Sequence, residues 1–316
     1  MESGNHNREI GETVRRCLLS IMVGEPVRCG NLSVFPLFFD QKPRVDYKVL
    51  EEALQDRLVE ITEVSEGGSV PELLFVNRSD KCVLLVDGEE LVGAKQNRIL
   101  NITVLAPPKT NLLIPVSCVE QGRWHYSSHG FAAGSHASMK IRSSSKAFVQ
   151  ESIRHRKSFT SNQAHVWNEV DNLMADLDVS SGSHAMHESY HQYDESIKET
   201  VEKMDLPEGA NGYIACVGDM ILGGDIFDKA ETLQKKWNRL IQGAIIESLR
   251  IRNQHKNQVE KSSVVNFLKT AAESTADIFT PPGMGIGLNI TGKSVVGSIL
   301  VEDESIVHAS IFQRIV

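Results

Sequence analysis

The densest group of chemically capable side chains sits at the end of an apolar run. In Pro115-Val-Ser-Cys-Val-Glu120-Gln-Gly-Arg123-Trp124-His125, a carboxylate, an amide, a guanidinium, an indole and an imidazole succeed one another as the run gives way to polar sequence. Polar groups with an aromatic at a strand end are what a ligand pocket uses. Arginine offers planar, paired donors suited to a carboxylate or pyrophosphate, and an indole can stack on a base. Glu120, Arg123, Trp124 and His125, with Arg142 beyond the serine-rich stretch that follows, are therefore the candidate ligand-binding residues. The competing explanation is structural: Arg123 pairs with Glu120, and Trp124 packs as a lid on the core. The sequence assigns no catalytic residue and no cofactor.

Other constellations carry less. Eight of the eleven histidines lie between 125 and 191. His184, His187 and His191 share one face if their segment is helical, with Glu188 and Asp194 near enough to complete a zinc or iron set. No HExxH or other sharp ligand spacing occurs, so no metal site is expected from His125, His129, His136, His184, His187 and His191. Gly287-Leu-Asn-Ile-Thr-Gly292-Lys293-Ser294 spells the P-loop pattern, but that loop needs a helix after it and strand-like residues follow here. Lys140, Arg142, Lys146, Arg154, Arg156 and Lys157 crowd one region, where they could hold an anion or simply form a solvated surface. No GxSxG elbow is present, and Cys118 has no diagnostic context.

These residues need a scaffold, and the composition allows one. The chain has 316 residues, 41% of them hydrophobic and 23% charged, enough for a full core without staples. Its formal charge is -8 and aromatics are 6%, which argues against extensive nucleic-acid binding. Apolar stretches are far short of a membrane span of ~20 residues. Five cysteines with no CxxC pair and a polar start without a signal-peptide pattern make the cytoplasm the expected location.

Periodicity predicts an α+β fold, with β-rich, mainly antiparallel N- and C-terminal parts around a helical middle. Parts are expected at 1–126, 127–210 and 211–316. Helical spacing covers 8–22, 47–58, 147–178 (with Ser161 as an N-cap) and 229–252. Strands are expected at 32–39, through 59–116, in a hairpin at 213–222 and through 276–316. Residues 127–146, rich in serine, read as a long loop. The polar, His-rich stretch from Ser180 to Glu202 can continue the helical middle. Val83–Gly93 and Tyr213–Gly223 form a weak internal repeat, read either as two ordinary hairpins or as two related β-lobes.

Val119-Glu-Gln-Gly-Arg-Trp124, Arg142, Gln163-x-x-Val166-Trp167, Gly224-Asp225-Ile-Phe227 with Trp237 and Leu240, Gly285, and Val307-His308 with Phe312 together resemble a prokaryotic family, the ARG and rhodanese-phosphatase-superfamily-associated protein domains. The likeness runs from about residue 27 to the end. The family name reflects association with ADP-ribosylglycohydrolase-type and rhodanese-phosphatase proteins, so the resemblance implies a role near NAD or ADP-ribose metabolism. It carries over no catalytic residue, and the His-rich insert around 180–200 departs from the family pattern. The leading functional expectation is binding or processing of an ADP-ribose-, NAD- or nucleotide-derived small ligand. Its rivals are a non-catalytic interaction or accessory protein with a protein partner and, more weakly, a metal-dependent hydrolase using the histidines.

Overall fold

The computed structural model describes residues 2–251 and 257–314. The chain opens with α1 (Glu2–Ser20), β1 (Met22–Val23), β2 (Val27–Cys29), β3 (Leu32–Phe38), β4 (Tyr47–Val49), α2 (Leu50–Gln55), β5 (Val59–Glu63) and β6 (Glu72–Asn77). It continues through β7 (Cys82–Leu85), β8 (Glu89–Gly93), β9 (Arg98–Leu100), β10 (Val104–Ala106), β11 (Asn111–Cys118) and β12 (Phe131–His136). The helical middle is α3 (Met139–Arg156), α4 (Gln163–Asp176), α5 (Met186–Gln192) and α6 (Asp194–Val201). A hairpin of β13 (Gly212–Val217) and β14 (Met220–Phe227) follows, then α7 (Ala230–Arg250) and α8 (Lys261–Ala272). The chain closes with β15 (Thr275–Phe279), β16 (Ile286–Thr291), β17 (Val295–Glu302) and β18 (Ser305–Gln313). The fold is α+β, as its periodicities predict.

Two compact units divide the chain. One holds residues 1–45, 199–280 and 285–316; the other holds 46–198 and 281–284. The first is a nine-stranded sheet in the order β1-β3-β13-β14-β18-β17-β16-β15, with β2 also on β3. Helical spacing gives α1 the stripe Ile10, Val14 and Leu18 and gives α8 the stripe Val264, Phe267, Leu268 and Ala271. Both stripes join one core with Phe35, Ile214, Ile299 and Ile311 of the sheet. Tyr213, on the other face of β13, meets Trp237 of α7 edge-on at 5.1 Å.

The second unit carries a six-stranded sheet, β12-β8-β9-β11-β6-β5, and a three-stranded one, β10-β7-β4. In the larger sheet Glu63 pairs with Leu73, Cys118 with Arg98, Arg98 with Leu91 and Leu91 with Ala133. These residues therefore share one face. The path's two ends come together, since a Cβ on Gly130 would stand 3.0 Å from the Ile61 carbonyl. The sheet thus curls around an inner face lined by Ile61, Leu73, Phe75, Leu91 and Ile114, all buried.

Several expectations need correcting. The helix over 47–58 is helical only from Leu50, because Tyr47 and Val49 bury alternate side chains and β4 pairs parallel with β7. The loop over 127–146 is mostly ordered: 131–136 is a strand and the next helix begins at Met139, not near Ala147. Phe131 is buried, and the small residues after it let β12 lie against β8, where a Cβ on Gly134 would come within 2.6 Å of Glu90 Oε2. Ser138 caps α3 by accepting the Ile141 N–H, and Asn162 rather than Ser161 caps α4 by accepting from His165. The first copy of the repeat is not a hairpin, since β7 and β8 belong to different sheets; the second is. Gly93 and Gly223, aligned in the repeat, have nearly the same positive φ, 132° and 135°. Helix α8 has no counterpart among the expectations, and the expected last residue of α7, Arg252, lies outside the described residues. After Lys293 comes β17, antiparallel to β16, so Gly292 serves the turn between them and Gly287 lies in β16 against Phe279, not in a phosphate loop. No helix among the described residues is long and apolar enough to cross a membrane.

The tightest backbone approach in the first unit predicts its weak point. A Cβ on Gly224 would land on the Tyr213 carbonyl, backbone that cannot step aside without opening the β13–β14 hairpin. Gly224→Ala is expected to cost ~1–3 kcal/mol or more in urea melts. Gly182→Ala, with nothing within 4 Å, should stay within about 0.5 kcal/mol of wild type.

Candidate functional site

At the open end of the curled sheet, the turn between β8 and β9 starts with two residues of positive φ, Gly93 at 132° and Ala94 at 40°. Only glycine fits the first, because a Cβ there would stand 2.5 Å from Ser128 Oγ and 2.7 Å from the Gly130 carbonyl. The resulting turn aims two carbonyls and the Asn97 amide at one point, which Arg123 fills. Its Nε donates to Glu120 Oε1 at 2.9 Å and Nη2 to Glu120 Oε2 at 2.7 Å. Nη1 donates to the carbonyls of Ala94 (2.6 Å) and His125 (3.1 Å) and to Ser127 Oγ (3.0 Å). Nη2 also donates to the Gly93 carbonyl and to Asn97 Oδ1. Every N–H direction of the guanidinium is met by protein oxygen.

Glu120 is held from its other side too, accepting the Asn97 N–H at 3.1 Å. Burial alone would raise its carboxyl, but hydrogen bonds from Arg123, Asn97 and Ser183 and the Arg123 charge hold it below the ordinary 4.5. The segment ahead of α5 zips onto the same strand end: Gly122 N donates to the Ser183 carbonyl, and Met186 N to that of Val119. Next to it, Glu90, buried at the face of β8 opposite Leu91, accepts from Ser135 N and Oγ and meets His187 Nδ1 at 3.2 Å. The hydrogen bond to Glu90 raises the His187 pKa; burial opposes this, and the charges of Glu90, Glu188 and Glu120 add to it.

So clamped, the loop presents Trp124 and Tyr126 about half exposed, at 46% and 48%. Lys95 Nζ lies 5.4 Å from the Trp124 ring and 5.2 Å from that of Tyr126, and donates to the Glu66 carbonyl. A cavity of about 880 Å³ opens at Tyr126, lined by Thr62, Glu63, Ser65, Glu66 and the run from Tyr126 to His129, while Trp124 stands next to this wall, across Gly68 from Glu63. Behind it, on the inner face of the sheet, stand Glu63 and Arg98, with side chains 2% and 0% exposed and 3.8 Å apart. Burial pushes the neighbouring Cys118 thiol up to about 11, a value the Arg98 charge lowers and Glu63 raises.

Glu120, Arg123, Trp124 and His125 are thus brought together, with Glu120 and Arg123 as the clamp, Trp124 at the cavity and the His125 side chain exposed. Arg142 is elsewhere. It lies on α3 under Gly88, whose missing side chain makes room for it, and pairs with Asp87 at 3.4 Å, while Lys146 reaches the same carboxylate at 2.9 Å. Gly88 and Gly93 flank opposite ends of β8, so Arg142 and Arg123 serve different places. The basic cluster is correspondingly split: Lys140 pairs with Glu169, and Arg154 and Arg156 sit in the last turn of α3, where the helix dipole favours cations. His136 Nε2 contacts the Asp87 carbonyl, His184 pairs with Asp171, and His187 with Glu90. His184 has φ 50° and precedes α5, so it does not share a helical face with His187 and His191.

Glu63, Lys95, Arg98 and Tyr126 escape sequence reasoning. Only Glu63 and Arg98 leave a signal, charge where a strand pattern calls for an apolar side chain, in Val59–Glu63 and Arg98–Leu100.

The chain belongs to the ARG and Rhodanese-Phosphatase-superfamily-associated Protein domain family, which matches residues 20–312. Comparison with curated proteins and with solved structures gives no match.

The clamp predicts two outcomes. Arg123→Ala leaves the Glu120 carboxylate buried without its cation and should cost ~3–5 kcal/mol of folding stability, read from denaturant midpoints. For His187, a folded pKa above 6.5 means the stabilisation is complete below that value and lost as pH rises through the folded pKa. Melting temperatures taken from about pH 6 to about pH 9 should fall accordingly in wild type and less steeply in His187→Gln.

Proposed function

We propose that this protein binds, and in its cellular setting takes part in processing, an ADP-ribose-, NAD- or other nucleotide-derived small molecule, with the cavity at Tyr126 and the neighbouring Trp124 as the site. The carrying observation is the pair of half-exposed rings, Trp124 and Tyr126, held beside a large cavity by a clamp that leaves their loop little freedom. Aromatic faces presented this way suit a planar base, and fixing them beforehand reduces the entropy lost on binding. The family's description, which couples it to ARG and rhodanese-phosphatase proteins, supports the same chemistry. Within this reading Trp124 and His125 face the ligand, while Glu120 and Arg123 hold the loop. The donors of Arg123 are spent on the protein, so a pyrophosphate takes its contacts elsewhere, and Arg142 belongs to the α3–Asp87 contact. All five cysteines are thiols, which fits a reducing, cytoplasmic setting.

Calorimetric titration with ADP-ribose and NAD tests the proposal. Saturable binding is expected, and Trp124→Ala should weaken it by ~1–3 kcal/mol, the worth of one base–aromatic stack, with little change in melting temperature. Binding that is absent from wild type, or untouched in Trp124→Ala, would sink the assignment. The accessory-protein reading draws on a different feature of the first unit: Leu19, Met22 and Val265, on α1, β1 and α8, are 45%, 65% and 46% exposed. Light scattering that shows a stable dimer, together with no nucleotide binding, would favour it.

A further inference from the structure

We propose that the buried Glu63–Arg98 pair reads the edge of the bound base, accepting an exocyclic N–H at Glu63 and donating from Arg98 to the ring nitrogen beside it, so that the site takes an amino-bearing base such as adenine. This rests on the reading of the cavity at Tyr126 and the neighbouring Trp124 as a nucleotide site and goes beyond it by naming the part of the ligand that enters and the groups that select it.

Several polar atoms of this pair make no hydrogen bond. Glu63 Oε1 accepts the Lys95 backbone N–H at 3.3 Å and lies 3.8 Å from Arg98 Nη2, while Glu63 Oε2 has no hydrogen-bond partner. Arg98 spends Nη1 on the backbone and side-chain oxygens of Gln96, at 3.1 and 3.2 Å, and its Nε and Nη2 are likewise without partners. Buried charged groups are almost always satisfied, so an open acceptor beside open donors marks a place where something complementary fits. The complement of one acceptor next to donors is a planar edge with a donor next to an acceptor, which adenine presents as its amino group and adjacent ring nitrogen.

The surroundings agree. The Arg98 guanidinium lies over the face of the Trp124 ring, 5.7 Å from its centroid, so a base that takes the place of that contact has its edge next to the open pair. A thin cover lies over the pair, for a Cβ on Gly68 would come within 3.2 Å of both Trp124 and Lys95 and 3.5 Å of Glu63 Oε2. Glu63 and Glu66 in the cavity wall repel phosphates and favour the uncharged, nucleoside end of the ligand.

The test compares adenosine with purine riboside, which lacks only the amino group, by calorimetry alongside ADP-ribose. Wild type is expected to bind purine riboside roughly tenfold or more weakly than adenosine, because the missing N–H leaves Glu63 buried and unpaired. Glu63→Gln should weaken adenosine by a similar factor and change purine riboside little. The nucleoside comparison needs no variant, so a misfolded Glu63→Gln leaves it intact. Equal affinity of wild type for the two nucleosides, or binding of ADP-ribose with no binding of either nucleoside, overturns the base-reading pair while leaving the cavity a nucleotide site. Failure of ADP-ribose and both nucleosides to bind overturns the two together.

Discussion

The Glu120–Arg123 ion pair is the interaction on which the site depends. It is bidentate, largely buried, and joined at both ends to backbone: the guanidinium gathers the Gly93 and Ala94 carbonyls, and the carboxylate takes the Asn97 N–H. One pair therefore fixes the turn between β8 and β9 and the loop after β11. Buried pairs do not stabilise a fold much beyond what apolar residues of the same volume supply, but they specify one geometry, because each half left alone is costly. Here the specified geometry is the placement of Trp124.

The rest of the second unit follows from that constraint. The curled sheet supplies an apolar inner face, and at the clamped end that face turns polar, with Arg98 and Cys118 paired on adjacent strands and Glu63 of β5 on the same face. Lys95 leaves the turn to lie by both rings, and the small, positive-φ Gly68 lets the 63–68 loop close down without pushing them apart. On the outside, the Glu90–His187 contact and the short ladder from Val119 to Met186 brace the same strand end. The helical middle thus supports the site from behind rather than contributing to its lining.

Where a single periodicity ruled a segment, the sequence was easily read. The stripe of α7 and the punctuated C-terminal strands stand where their patterns put them. Segments in which two signals competed were harder. Tyr47–Val49 looks helical beside Leu50–Gln55, yet a parallel partner strand, which no local pattern announces, decides it. Phe131–His136 is rich in small residues and resembles a loop, although its smallness is what lets it approach Glu90. The Glu120–Trp124 cluster was legible because its residues are contiguous, and so was the alternative that Arg123 pairs with Glu120. Glu63 and Arg98 were not, for a charged residue inside a strand pattern says nothing of the residue thirty-five positions away that it will face. Arg142 and Arg123 lie at the same serine-rich stretch in sequence, whereas β8 holds them at opposite ends.

Whether Trp124 is the ligand-facing ring is read by ¹⁹F NMR of protein carrying 5-fluorotryptophan. The chain has three tryptophans, of which Trp124 alone is among the exposed large apolar residues. Titration with ADP-ribose should shift one resonance saturably, the one missing from Trp124→Phe, and leave those of Trp167 and Trp237 in place. No shift in any resonance, or a shift confined to Trp167 or Trp237, would exclude Trp124 as that ring.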